Sequence, residues 1–370
     1  MAGPALYNFN PLLVLAALCL LLGAMPLAWI WFRHRHAMPT VRLRALTLFT
    51  LFLTFDLVVF GAFTRLTDSG LGCPDWPGCY GSASPLGAHA DIHAAQTAMP
   101  TGPVTHGKAW VEMVHRYLAT VVGMLIVVLA AASWWARQRG HAVVSPWWAT
   151  ATLVWVCVQG AFGALTVTMK LYPAIVTAHL LGGLGLLVLL AVQSQGHERT
   201  PLRLSRGLQA GTWALFVLVL IQITLGGWVS TNYAVLACTD FPTCQGQWWP
   251  SMDFDHGFTV LRELGVGKDG GFLPFAALTA IHVTHRIGAG VVLLAMLVLV
   301  WRLYASSELA QQRWACALAV VALWQFASGL SNVVLGWPLV AALAHTAGAA
   351  ALITLLAVML ARARLAQTAS

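Results

Sequence analysis

This sequence predicts an all-α polytopic membrane protein, on three observations. Hydrophobic residues make up 59% of the 370 and charged residues 9%, against roughly 25% charged in a soluble domain. Nine apolar runs are long enough to cross a hydrocarbon core as helices of about 20 residues. The second half of the chain also repeats the first. A net charge of +8 would suit a nucleic-acid partner, but the position of the basic residues explains it better, so no nucleic acid is expected.

The spans read from the sequence are about 11–32, 44–65, 112–136, 146–169, 173–193, 208–230, 276–301, 314–336 and 338–361. The links between them alternate in charge. One set carries Arg33, Arg35, Arg42 and Arg44, then Arg137 and Arg139, Arg199, Arg203 and Arg206, Arg302 and Arg313, and Arg362 and Arg364. The other holds little beyond Lys108, Lys170, Arg262 and Lys268. Basic residues stay on the cytoplasmic side, so the first set and the C-terminus face the cytoplasm. The first run resembles a signal peptide in length. Its basic cluster "RHRH" follows the apolar stretch rather than preceding it, however, which predicts a retained helix with its N-terminus outside.

Two long loops, about 66–111 and 231–275, then lie on the outer face. They carry "LGCPDWPGCY" at 71–80 and "LACTDFPTCQ" at 236–245, which share the pattern Cys-x-Asp-aromatic-Pro-x-Cys. Five residues between the cysteines and a pre-bending proline allow a disulfide within each pair, Cys73–Cys79 and Cys238–Cys244. An oxidising compartment permits both. Cys19, Cys157 and Cys316 fall inside apolar spans and read as small hydrophobes.

The repeat has an offset of 165–170 residues. Cys73 and Cys79 match Cys238 and Cys244, "QGAFGALTV" matches "QFASGLSNV", and His179 matches His345. His115-Arg116 matches His285-Arg286. Each unit holds four spans, and an even number of spans separates matched helices, so the halves share one orientation. The expected architecture is two tandem pseudo-twofold-related four-helix bundles, 44–200 and 201–370. An extra transmembrane helix and its cytoplasmic link occupy 1–43.

Ionisable residues inside spans are costly and point to function. Five of the thirteen histidines lie in spans, and four of these are matched by the repeat. His115 and His179 sit on the second and fourth helices of the first bundle, and His285 and His345 on those of the second. Each lies within about two turns of the outer end. Facing imidazoles across a bundle core are how helices hold haem iron. Gly123, Gly182, Gly183, Gly288 and Gly348 follow these histidines and would leave room for a flat macrocycle. Arg116 and Arg286 suit its propionates, because guanidinium grips carboxylate in a fixed fork. A lone histidine and glycine more often serve helix packing, but four in matched pairs with arginine attached argue for ligation.

The repeat breaks at Glu112. It stands three residues before His115, where His282 stands before His285, so one bundle has a carboxylate beside its presumed haem and the other an imidazole. A carboxylate there moves protons or stabilises positive charge. The plainer alternative is a helix cap, since the N-terminal dipole favours an anion.

Together, "EMVHR", "TAHL", "HVTHR", "LAHTAG" and the loop cysteines resemble the haem A synthase family over about 44–361. The resemblance implies that a methyl group of haem O is oxidised to the formyl group of haem A for terminal oxidases. It implies that His115 and His179 bracket the substrate haem, that Glu112 is the catalytic carboxylate, and that His285 and His345 hold a haem b cofactor for electron transfer. The family pattern has eight helices, so the first span is a departure. Expected partners are membrane lipid, haem O, a haem O synthase, a terminal oxidase assembly factor, a thioredoxin-like reductant and a second copy of the chain. The expected location is a bacterial inner membrane, with the haem sites near the periplasmic side. Two other readings stand beside this one: a dihaem b protein exchanging electrons with quinol, and a membrane thiol–disulfide relay. For Cys73–Cys79, a structural staple and a redox-active pair are both open.

Overall fold

The structure is a computed structural model that describes residues 6–368. Residues 1–5 and 369–370, which fall in the first and last expected domains, lie outside it. Among the described residues, nine helices are long and apolar enough to cross a membrane, and this is a multi-pass membrane protein. They are α1 (Leu12–Arg33), α2 (Pro39–Leu66), α4 (His106–Gln138), α5 (Pro146–Thr168), α6 (Pro173–Glu198), α7 (Arg206–Thr231), α9 (Phe275–Tyr304), α10 (Leu309–Val334) and α11 (Leu339–Thr368). Two short helices ride in the long loops: α3 (His89–Ala98) and α8 (Phe254–Gly257).

The ends of the spans follow local chemistry. Prolines open α2, α5 and α6, where the missing N–H costs nothing. The Thr105 side chain caps α4 by accepting the Lys108 N–H, which starts that helix six residues before the expected 112. Ser205 caps α7 in the same way. Within α2, the hydroxyls of Thr47, Thr50 and Thr54 are buried, and each donates to the carbonyl four residues earlier at 2.7–2.8 Å. In hydrocarbon no water would satisfy them.

The chain divides into two compact units: residues up to 171 with 185–198, and 172–184 with the rest of the chain from 199. Inside the first, α4 packs on α1, α2 and α5 around Val121, Val122, Leu125, Ile126 and Leu129, joined by Leu186 and Leu190 of α6. The helix outside the repeat is therefore part of this core, with Gly23 of α1 against Met124. Inside the second unit, α7, α9, α10 and α11 pack in a closed ring. The expected boundary at 200 would keep α6 whole; in the structure its first half, which carries His179, groups with the second unit.

Candidate functional site

Each outer loop begins with a lid built on one plan. Disulfides join Cys73 to Cys79 and Cys238 to Cys244. The shared aspartate organises the turn. Asp75 accepts the N–H groups of Tyr80 and Gly81 at 2.6 and 2.7 Å. Asp240 accepts those of Gln245 and Gly246 at 2.7 and 3.0 Å. Tyr80–Gly81 and Gln245–Gly246 all have positive φ, and a carboxylate receiving two successive amides holds that turn. The Trp76–Pro77 and Phe241–Pro242 bonds are both cis. The four half-cystines are buried, so the exposed disulfide that direct reduction by a thioredoxin-like partner would need is not present while the lid is closed. In the first unit the pair is covered by Ala88, just before α3, by Ile92 of α3 and by Ala109 and Met113 of α4.

The arginines after the histidines clamp these lids. Arg116 Nη1 donates to the carbonyls of Asp75, Pro77 and Gly78, at 2.9 and 3.2 Å for the first two. Arg286 donates from Nη1 to Asp240 and Thr243 and from Nη2 to Cys238, each at 2.9 Å. The sequence assigned both to haem propionates. In the structure Arg116 Nη1 and both terminal nitrogens of Arg286 meet lid carbonyls, as a planar fork of donors suits several carbonyls at once.

Glu112 does not cap its helix. It lies in the second turn of α4, 3% exposed, where Oε2 accepts the Cys73 N–H at 2.8 Å and Oε1 pairs with Arg116 Nη2. A close approach makes this reach possible. A Cβ at Gly72 would lie 2.5–2.6 Å from the Lys108–Ala109 backbone, so the chain beside Cys73 touches α4 one turn before Glu112. At the matched place His282 points its Nδ1 at the Ala234 carbonyl, 3.0 Å away. A carbonyl only accepts, so Nδ1 carries the proton.

The span histidines sit against glycines. A Cβ at Gly61 would lie 3.1 Å from His115 Nε2, one at Gly226 3.0 Å from His285 Cε1, and one at Gly329 3.2 Å from His345 Cε1. Gln222 Nε2 stands 2.9 Å from both His285 Nδ1 and the His285 carbonyl. Gln325 Nε2 donates to the His345 carbonyl at 3.0 Å. Ser328 Oγ donates to the Trp324 carbonyl at 2.7 Å and stands 3.0 Å from His345 Nδ1. Its one proton is thus committed, so it accepts from Nδ1–H and leaves the His345 Nε2 lone pair for a metal. His179 Nδ1 is buried without a hydrogen-bond partner among the described residues.

The glycines after the histidines do not all act as expected. Gly123 and Gly290 face open space. Gly288 and Gly348 instead admit the glutamines: an added Cβ would fall 2.3 Å from Gln222 Oε1 and 2.5 Å from Gln325 Nε2. Sequence reasoning used Gln325 and Gln159 only to register the repeat and passed over Gln222, Ser328, Asp75 and Asp240. The two aspartates were visible as the invariant centre of the duplicated loop. Gln222 was hidden because its counterpart at an offset of 165 is Leu57.

The family model for COX15-CtaA, described as cytochrome oxidase assembly protein, matches residues 44–357. A protein named Heme A synthase from Shewanella oneidensis is 37% identical over 311 residues, covering 82% of this chain and 91% of that protein. One of the same name from Halalkalibacterium halodurans is 28% identical over 315 residues, with the same coverage. Another from Methylobacterium nodulans is 29% identical over 321 residues, covering 79% and 84%. The matched stretch contains both lids, Glu112 and all four repeat-matched histidines, and the chain belongs to the COX15-CtaA family of cytochrome oxidase assembly proteins.

Proposed function

We propose that this protein is a haem A synthase, oxidising a methyl group of haem O to the formyl group of haem A. The observation that carries the reading is the break in an otherwise duplicated scaffold. Both lids have the same aspartate turn, disulfide and arginine clamp, yet only the first closes on a carboxylate. A pair of equivalent electron-transfer sites has no use for that difference.

In this reading His115 and His179 bind the substrate haem, and His285 and His345 hold a resident haem b. The donor set fits an iron porphyrin: His345 presents Nε2 in a fixed tautomer, and His285 is held from its Nδ1 side by Gln222. His179 keeps an unpartnered ring nitrogen in the span. Bound haem supplies the redox chemistry, and everything else falls to the chain's own groups. Glu112 stands one turn from His115 and holds or moves a proton at its carboxylate. Arg116 and the Cys73 amide set that carboxylate's position. The lid over Cys73–Cys79 excludes water from it. Arg116 and Arg286 are the propionate-binding candidates, and both also fix the lids.

The basic links support a cytoplasmic C-terminus and lids on the periplasmic side of a bacterial inner membrane. A haem O synthase would deliver substrate and an oxidase assembly factor would receive product. A thioredoxin-like reductant would reach Cys73–Cys79 only on an opened lid. A homo-oligomer belongs to the same proposal.

The test is mass spectrometry of haems extracted from the purified protein, wild type and Glu112→Gln, each supplied with haem O. Glutamine keeps an acceptor for the Cys73 N–H but cannot hold the charge. Wild type should yield haem A. The variant should retain haem and lose conversion by about 10²-fold or more, the usual scale of general acid–base catalysis. Haem b alone on the wild type, even with haem O supplied, would favour the quinol-linked electron carrier. Undiminished haem A from the variant would remove Glu112 from the chemistry.

A further inference from the structure

Three histidines in the first outer loop have no role in the function above. We propose that His89, His93 and His106 form a three-imidazole site for a late first-row divalent cation, Zn²⁺ or Cu²⁺, on the solvent side of the first lid. His89 and His93 are four residues apart on α3 and so share one helical face, and His106 opens α4 beside them. The ring centroids are 4.5 Å apart for His89–His106 and 6.3 Å for each of the other two pairs. Three imidazoles bound tetrahedrally, with metal–nitrogen bonds near 2.0–2.1 Å, place their centroids about 5 Å apart. The observed triangle brackets that value.

The backbone under the triangle is fixed by packing and by a hydrogen bond. Ala88 and Ile92, each one residue before a histidine, are buried against the disulfide and α4. The His106 N–H donates to Gln96 Oε1 at 3.0 Å, tying the start of α4 to α3. His89 and His93 are exposed and His106 is half-buried. Among the described residues no three His, Cys, Asp or Glu side chains already gather their donor atoms at one point. Metal binding would turn the rings toward one point, and in exposed side chains such rotation takes picoseconds to nanoseconds.

The donor set selects the ion. Asp91, two residues from either histidine, points to another side of α3, and both nearby cysteines are in a disulfide. Imidazole alone favours zinc, copper and nickel over the oxygen-seeking Mg²⁺ and Ca²⁺. The neighbouring ammonium of Lys108 is turned away onto the Gly102 carbonyl at 3.2 Å. The second unit has no counterpart. Its loop carries the four-residue α8, where His256 takes Asp253 at 2.8 Å. A metal on the triad would therefore pin α3 over the Cys73–Cys79 lid alone.

The test uses the full-length, untagged chain in detergent. Cu²⁺ should bind with a nitrogen splitting pattern from three imidazoles, and Zn²⁺ should raise the Tm. His89→Ala, His93→Ala and His106→Ala should each weaken binding at least tenfold and abolish the Tm increase, with metal-free Tm values unchanged. His256→Ala should bind like the wild type. Equal Zn²⁺ stabilisation of wild type and His93→Ala, or a copper signal with one nitrogen, would overturn the proposal.

Discussion

Residues 71–81 and 236–246 are the same lid built twice, and their one departure teaches more than their likeness. Both use an aspartate turn, a disulfide and an arginine clamp. In the second, both terminal nitrogens of Arg286 donate to lid carbonyls, and His282 turns away to Ala234. In the first, Arg116 diverts Nη2 to Glu112, and the Cys73 N–H goes there too. One substitution on α4 thus turns a structural cover into a grip on a carboxylate. Opening the first lid and freeing Glu112 become a single event, whereas opening the second releases no acid.

Removing the disulfides should break the comparison most strongly. Each closes a ring of only six residue steps, and loops of that size gain roughly 2 kcal/mol from the cross-link in the chain-entropy view. Both Cys73→Ser/Cys79→Ser and Cys238→Ser/Cys244→Ser should lose about that much local stability, read as hydrogen exchange of the lid amides. Haem A formation should fall about tenfold or more only in the first, where Glu112 loses its mooring. Equal losses in both would mean the lids are functionally equivalent. Conversion abolished in the first variant with normal amide protection would instead favour a redox role for Cys73–Cys79.

The spans were legible because apolar run length and flanking arginines are properties of composition. The outer loops were less so. No periodicity announced α3, whose one buried residue is Ile92. The start of α4 was misplaced because His106, Gly107 and Lys108 break the apolar run at the head of a helix capped by Thr105. The four histidines and Glu112 stood out because charge inside a span is expensive. Their supports did not. Gln222 and Ser328 act through hydrogen bonds across 63 and 17 positions, and no local pattern encodes such reach. Arg116 and Arg286 were noticed for their charge, but nothing in the sequence marks the backbone carbonyls that they also hold.

Exchanging the clamps for lysine should have a smaller effect and sharpen the contrast. An ammonium concentrates its donors on one atom and cannot replace two separated terminal nitrogens, which in Arg116 reach the lid carbonyls and Glu112 and in Arg286 reach two sets of lid carbonyls. Arg116→Lys should slow haem conversion about fivefold, roughly the effect of weakening one charge-assisted bond by 1 kcal/mol. Its haem content should be retained. Arg286→Lys should loosen the second lid to a similar degree in hydrogen exchange while leaving conversion near wild type. A conversion defect of equal size in Arg286→Lys would show that the second lid also governs the reaction.

The smallest effect is expected from acid, acting on the second lid through Asp240. Its carboxyl is held down to about 2, first by the Thr243 hydroxyl at 2.5 Å and then by the Gly246 and Gln245 amides. The folded value lies below the ordinary carboxylate value near 3.9. The stability this provides is therefore complete above about pH 4 and is lost as pH falls from 4 toward 2. A phosphine reductant, active in acid, reports the opening of the buried Cys238–Cys244 pair. Its reduction should quicken severalfold between pH 4 and pH 2. Asp240→Asn cannot ionise, so its reduction should be faster at pH 5 and flat down to pH 2. A wild-type profile equally flat over that window would mean that the carboxylate does not hold the lid, leaving the arginine clamp and the disulfide to do so.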